Sequence, residues 1–291
     1  MTRLLIIGGS GQLGLELRRA ALPDGWRCDA PSRDALDLGS LAHIEAAVRA
    51  LRPNVIVNAA AYTAVDKAES EPEAAFALNR DAPTALAQIA ALMGVPLVHV
   101  STDYVFDGTS ARAYAESDAT APLGVYGASK LAGEDTVLGA QAHAAVVRTS
   151  WVFSAHRSNF VKTMLRLSET LDEVGVVADQ RGRPTSAADL ARACVALADR
   201  LRAGDADARG VFHFANAGET TWADFAGAIF EGARRRGHKG AAVKRITTAE
   251  YPTPAKRPAN SRLDTAKIEA LGITPRPWRA ALSDVLDELL A

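Results

Sequence analysis

The chain has 291 residues, 48% hydrophobic and 23% charged, with a formal net charge of −1. That length predicts a main domain with a smaller annex, and the composition is ordinary for a soluble globular enzyme. The charge leaves no nucleic-acid footprint and no apolar run nears the roughly 20 residues of a membrane helix, so neither partner is expected. The N-terminus runs directly into a strand, which predicts no signal peptide and a cytoplasmic protein. Two cysteines, Cys28 and Cys194, cannot build a disulfide framework, and burial as small apolar residues is the expectation for both. The six histidines form no i, i+4 pair and no cluster with cysteine, so no metal site is predicted.

In chain order, Leu4–Ile7 reads as a buried strand, followed by Gly8-Gly9-Ser10-Gly11-Gln12-Leu13-Gly14 and a helical stretch from Leu15 to Arg19. Strand, glycine turn, helix is the setting in which backbone approaches a pyrophosphate and a helix N-terminus faces it. The glycines at 8, 11 and 14 depart from G-x-G-x-x-G, and a plain glycine-rich turn is the rival explanation. Position straight after a buried-type strand favours a dinucleotide. Trp26–Ala30 is the second strand. Asp29 and Asp34 lie where a carboxylate selects NAD, but Ser32 and Arg33 stand between them, where a 2′-phosphate would sit. NADPH is favoured, with NADH tolerated.

Val55–Val57 is the third strand and leads into Ala59-Ala60-Ala61, which would line the cofactor's path. A helix over about 73–93 precedes strand Leu97–Val100, and a helix carrying Tyr126 and Lys130 precedes strand Ala145–Val147. Alternating strands and helices predict an α/β doubly wound parallel sheet of Rossmann type over residues 1–150. Residues 151–291, with helices near 188–201, 222–235 and 278–290, a strand at 211–214 and a proline-rich loop at Pro252, Pro254 and Pro258, are expected mainly to build a substrate lobe. Some of their segments should return to the main domain.

Tyr126 and Lys130 sit four apart, on one helix face. An ammonium beside a phenol lowers a pKa that starts at about 10, and such a phenol can protonate a carbonyl oxygen as hydride arrives. Taken alone the pair is a weak signal. Thr102, just past the fourth strand, would aim a hydroxyl at the same space and orient the carbonyl. Ser101 beside it reads as a loop cap.

With these motifs in view, the chain resembles the extended short-chain dehydrogenase/reductase superfamily and, within it, the dTDP-4-dehydrorhamnose reductases. The matching stretches run nearly end to end: 11–14, 57–69, 101–108, 125–134, 148–153, 159–165, 179–185 and 257–263. The resemblance implies hydride transfer to C4 of a 4-keto-6-deoxyhexose on a dTDP carrier, serving cell-surface polysaccharide. Tyr126 would supply the proton, Lys130 would hold the nicotinamide ribose and tune Tyr126, and Thr102 would fix the keto oxygen. Asp37 and Leu38 would flank the adenine. Asp103 and Tyr104 would contact the sugar, and Trp151 offers a flat apolar face for it, though a core role is the commoner one for such a residue. Gln180, Arg181, Arg257, Asn260 and Ser261 are suited to the nucleotide and its diphosphate. Some family members associate Mg²⁺ with a subunit contact, which leaves Mg²⁺ and a homodimer as open questions. Glu16, Asp189 and Glu288 are the carboxylates that align, and all three are expected to be solvated.

Two other functions compete. A nucleotide-sugar dehydratase would carry Thr-Asp-Glu after the fourth strand, where this chain has Tyr104; an epimerase would keep its cofactor bound. A non-catalytic, dinucleotide-binding regulatory subunit would not need Tyr126 and Lys130.

Overall fold

A computed structural model describes residues 1–291. The first half alternates β1 (Thr2–Ile7), α1 (Gln12–Arg19), β2 (Trp26–Asp29), α2 (Leu41–Leu51), β3 (Val55–Asn58), α3 (Val65–Ala68), α4 (Pro72–Phe76), α5 (Ala82–Leu92), β4 (Leu97–Thr102), α6 (Val125–Ala140) and β5 (Ala144–Thr149). The second half adds β6 (Val152–Phe153), α7 (Phe160–Thr170), β7 (Glu173–Val177), β8 (Arg181–Gly182), β9 (Thr185–Ser186), α8 (Ala187–Arg202) and β10 (Gly210–His213). It ends with β11 (Thr220–Thr221), α9 (Trp222–Arg235), β12 (Ala242–Ile246), β13 (Asn260–Ser261), α10 (Ala266–Glu269) and α11 (Trp278–Leu290).

Six strands form one sheet in the order β10-β5-β4-β3-β1-β2, every pairing parallel. β1 and β3 are buried on both sides, which is why their sequences are continuous apolar runs rather than alternating ones. Period-2 geometry sends Leu4 and Ile6 to one face, against Leu17 of α1 and Leu190 and Leu197 of α8. Leu5 and Ile7 go to the other, against Ile44, Leu86 and Val137 of α2, α5 and α6. The chain reverses its direction of winding between β1 and β3, the place where such sheets open a ligand crevice.

The second half therefore does two jobs. α8 supplies one covering layer of the main sheet, and β10 pairs with β5 at its edge, Phe212 opposite Val147. The remaining elements close a separate core in which Phe153, Phe225, Phe230, Trp278 and Leu282 pack together. The helix expected over 73–93 is interrupted by a π turn at Ala77–Asp81. That bulge aims Asn79 inward, where its amide donates to Ser129 Oγ of α6 at 3.0 Å and to the Tyr62 carbonyl at 3.1 Å. No helix is long and apolar enough to cross a membrane.

Candidate active site

The glycine turn after β1 is built for close approach. Gly8 has a φ of 81°, and a Cβ there would lie 2.7 Å from the Ala60 nitrogen. A Cβ on Gly14 would run into the Gly8 carbonyl, so Gly14 lets α1 press against the turn instead of lining the space above it. Gly11 caps α1 without a side-chain hydrogen bond, leaving the first-turn N–H groups open to an anion.

Above this turn lies a cleft of about 510 Å³. Gly8, Gly11, Gln12, Leu13, Ser32, Arg33, Asp37, Leu38, Ala59, Ala60 and Ala61 all border it, and so do Tyr126 and Lys130 of α6. Residues more than a hundred positions apart thus share one wall. Thr63, within the 57–69 stretch, borders it too, as do Leu78 from the π turn, Arg157 and Ser158, which no motif marks in the sequence. Asp29, the carboxylate placed to select NAD, is spent on Arg3 at 3.0 Å. Arg33 is exposed at the cleft and makes no ion pair.

β4 and α6 bring the three polar groups together. Lys130 is fully buried, its Nζ donating to the Val100 carbonyl at 2.7 Å and lying 3.4 Å from His99 Nε2. His99 Nδ1 in turn meets the Asn58 amide at 3.1 Å. Thr102 Oγ1 donates to Asp103 Oδ1 at 3.1 Å and accepts from the Tyr104 N–H at 3.2 Å, and it lies beside the Tyr126 phenol.

One expectation is corrected here. Burial, not the neighbouring ammonium, dominates Tyr126: it pushes the phenol well above its ordinary value, aided by the charges of Asp103 and Tyr104, and the adjacent Thr102 hydroxyl only partly offsets it. Burial also brings Lys130 down to about 8, against the pull of Glu134. At neutral pH the phenol keeps its proton. Ser101 is more than a loop cap. Its hydroxyl donates to Glu134 Oε1 at 2.5 Å, and Glu134 is held by Arg148 in a buried ion pair at 2.6 Å, which ties β4, β5 and α6 together behind the cleft.

Beyond Thr102 a second group of expected residues gathers. Asp103 is buried, and desolvation raises its carboxyl to about 6 despite the Thr102 hydrogen bond and the neighbouring Ser261 hydroxyl; its Oδ2 has no partner. Tyr104 packs edge-on to Tyr126 with ring centroids 5.5 Å apart. Arg257 lies beside Tyr104, pairs with Asp66 at 2.7 Å and keeps a buried, unpartnered Nη1. Arg181 is exposed, 3.8 Å from Glu219, and Gln180 is buried with its amide on Thr248 Oγ1 at 3.0 Å. Trp151, with a φ of 50°, stacks on Trp222 at 3.6 Å and lies over Gly182, where a Cβ would collide with its indole.

Asn260 differs from expectation. Its amide donates to the carbonyls of Ser110 and Arg112, and its oxygen accepts from Arg262, so no hydrogen-bonding capacity remains for a nucleotide. Two of the three aligned carboxylates, Asp189 and Glu16, are not solvated either, whereas Glu288 is exposed as expected. Asp189 is buried and held by Arg276 at 2.8 Å, with Arg192, Ser186 and Asn216 around it. Glu16 is buried 3.6 Å from His156, and Glu288 pairs with Arg19 at 2.7 Å. No three His, Cys, Asp or Glu side chains converge as a metal site. Of the two cysteines, Cys194 is buried, its thiol pushed up to about 12, whereas Cys28 is half-buried at the β2 edge.

The family described as "RmlD substrate binding domain" matches residues 1–291. A dTDP-4-dehydrorhamnose reductase from Sinorhizobium fredii is 47% identical over 99% of this chain and 98% of its own length. The crystal structure of a dTDP-4-dehydrorhamnose reductase from Clostridium acetobutylicum superposes with a TM-score of 0.93 at 36% identity, covering all of both chains. That of the Bacillus anthracis dTDP-4-dehydrorhamnose reductase, in complex with NADP, gives 0.91 at 34% identity over 99% of this chain and 100% of the other. Matched from end to end at these identities, the chain belongs to the dTDP-4-dehydrorhamnose reductase family.

Proposed function

We propose that this chain reduces the C4 keto group of dTDP-4-dehydro-L-rhamnose to give dTDP-L-rhamnose, a precursor of cell-surface polysaccharide, in the cytoplasm. The observation that carries this is the shared wall: Tyr126 and Lys130 border the cleft opened by the Gly8–Leu13 turn, with Thr102 at the phenol. The cleft fits a dinucleotide. Its floor excludes a Cβ at Gly8, and the α1 N-terminus is uncapped by any side chain. Bound there, a reduced nicotinamide supplies hydride.

The chain's own groups handle the oxygen. Thr102 Oγ1 orients the keto oxygen, and the Tyr126 hydroxyl delivers the proton, a task that needs the neutral phenol which burial maintains. Lys130, anchored on Val100, holds the nicotinamide ribose. Asp103 contacts the sugar with its unpartnered Oδ2, and Trp151, whose ring is stacked on Trp222, meets the deoxyhexose with the apolar surface it has left. Gln180, Arg181, Arg257 and Ser261 serve the dTDP carrier, with Asn260 shaping the loop beside them. Arg33 without a carboxylate, and Asp29 spent on Arg3, favour NADPH over NADH. Residues 1–150 form the dinucleotide half and 151–291 mainly the sugar half. Tyr104, where a dehydratase needs a second acid, weighs against water elimination.

The test is absorbance at the nicotinamide band with dTDP-4-dehydrorhamnose made in situ. Oxidation of NADPH matched mole for mole by dTDP-L-rhamnose is expected; no oxidation with either reduced cofactor would refute the assignment.

A further inference from the structure

Residues 154–159, in the loop between β6 and α7, are fastened across the first glycine turn. Ser154 Oγ and Asn159 Nδ2 both donate to Gln12 Oε1 at 3.0 Å, and Arg157 Nε donates to the Ser10 carbonyl at 2.7 Å. Arg157 does so from a φ of 56°, a left-handed conformation that few non-glycine residues adopt. Its guanidinium is exposed, borders the cleft and pairs with no carboxylate. Arg19, close by, is by contrast consumed by Glu288 and His156. Held on the turn through Nε alone, Arg157 keeps Nη1 and Nη2 as a two-pronged cationic donor.

The turn and the open end of α1 offer neutral N–H donors from the sheet side. What the turn itself lacks is a cation, and the second half of the chain places one against it. We infer that Arg157 binds the diphosphate of the dinucleotide, closing the cleft from the lobe side. This rests on the dinucleotide reading given above, and assigns the diphosphate a ligand that no glycine motif reveals. The diphosphate is common to NADPH and NADH, so Arg157 serves both cofactors alike. Arg33, beyond β2, would serve only a 2′-phosphate.

The test is equilibrium binding of NADPH and NADH to the full chain, read by nicotinamide fluorescence, with Arg157→Gly and Arg157→Lys alongside. Glycine suits the left-handed backbone, so the fold is not at risk, and a melting curve checks it. Arg157→Gly is expected to raise both dissociation constants about tenfold, the loss of charge-assisted hydrogen bonds. Arg157→Lys should cost less, because the charge stays while the fork is lost. AMP, which has no diphosphate, should compete equally well in parent and variant. Parent protein that binds neither dinucleotide would remove the cofactor reading itself and this inference with it. A parent that binds both while Arg157→Gly stays within about twofold would overturn the inference alone. So would a loss confined to NADPH, which places the guanidinium at the 2′-phosphate, or an equal loss for AMP, which reports only a loosened lobe.

Discussion

Replacing Asp103 by Asn should stabilise the protein while weakening its use of the sugar. Asp103 is buried, 3% exposed, and its carboxyl rises from 3.8 to about 6. Each pKa step is worth about 1.36 kcal/mol, so ionising this group inside the fold costs roughly 3 kcal/mol more than in the unfolded chain. The sign follows from proton counting. Between 3.8 and about 6 the folded state holds the proton that the unfolded state has lost, so stability falls as pH rises through that window. The cost is absent below it and complete above it. Asparagine keeps an oxygen for the Thr102 hydroxyl but carries no charge. The variant should therefore melt higher than the parent at pH 7.5, by several degrees for about 2–3 kcal/mol in a chain of this size, and the gap should close as pH falls toward 4. Differential scanning calorimetry across that range is the assay. A variant that melts lower at pH 7.5, or a gap that does not change with pH, would refute the desolvation argument. The KM for the sugar should rise in the same variant, since the unpartnered Oδ2 is its proposed contact.

Other expectations follow from single contacts. Glu134→Gln leaves Arg148 charged and nine-tenths buried without its carboxylate, and should cost about 3–5 kcal/mol by denaturant unfolding. Arg33→Ala should weaken NADPH on the order of tenfold and leave NADH within about twofold, read by fluorescence titration; equal weakening would remove the phosphate role.

Much of this site was legible in the sequence because it rests on local rules. Gly8 and Gly14 fall at fixed offsets from a buried strand, and Tyr126 and Lys130 one turn apart on a helix, so short-range spacing carried both motifs. The final helix, Trp278–Leu290, and Trp222–Arg235 were readable from amphipathic periodicity alone. What escaped depends on partners distant in the chain. Nothing in Val211–His213 tells that it pairs with β5 rather than with a lobe strand, and β8, β9, β11 and β13 are two residues each, too short for any period. The expected lowering of the Tyr126 pKa failed for a similar reason. An i, i+4 offset puts both residues on one face, but desolvation is set by everything packed around the phenol, and here it dominates while the Lys130 ammonium is turned onto the Val100 carbonyl. From sequence Asn260 looks like a group awaiting a ligand and Asp189 like a solvated carboxylate; only the fold shows that the hydrogen bonds of both are already made. Arg157 has the opposite history, an unremarked loop residue that the fold carries to the glycine turn.

The most direct test of the catalytic assignment is single turnover of Tyr126→Phe with saturating NADPH and dTDP-4-dehydrorhamnose. With the proton donor gone and the ring retained, the rate should fall by about 10² or more while the NADPH dissociation constant stays within about twofold. A variant that turns over at the parental rate would contradict the claim that this phenol protonates the keto oxygen.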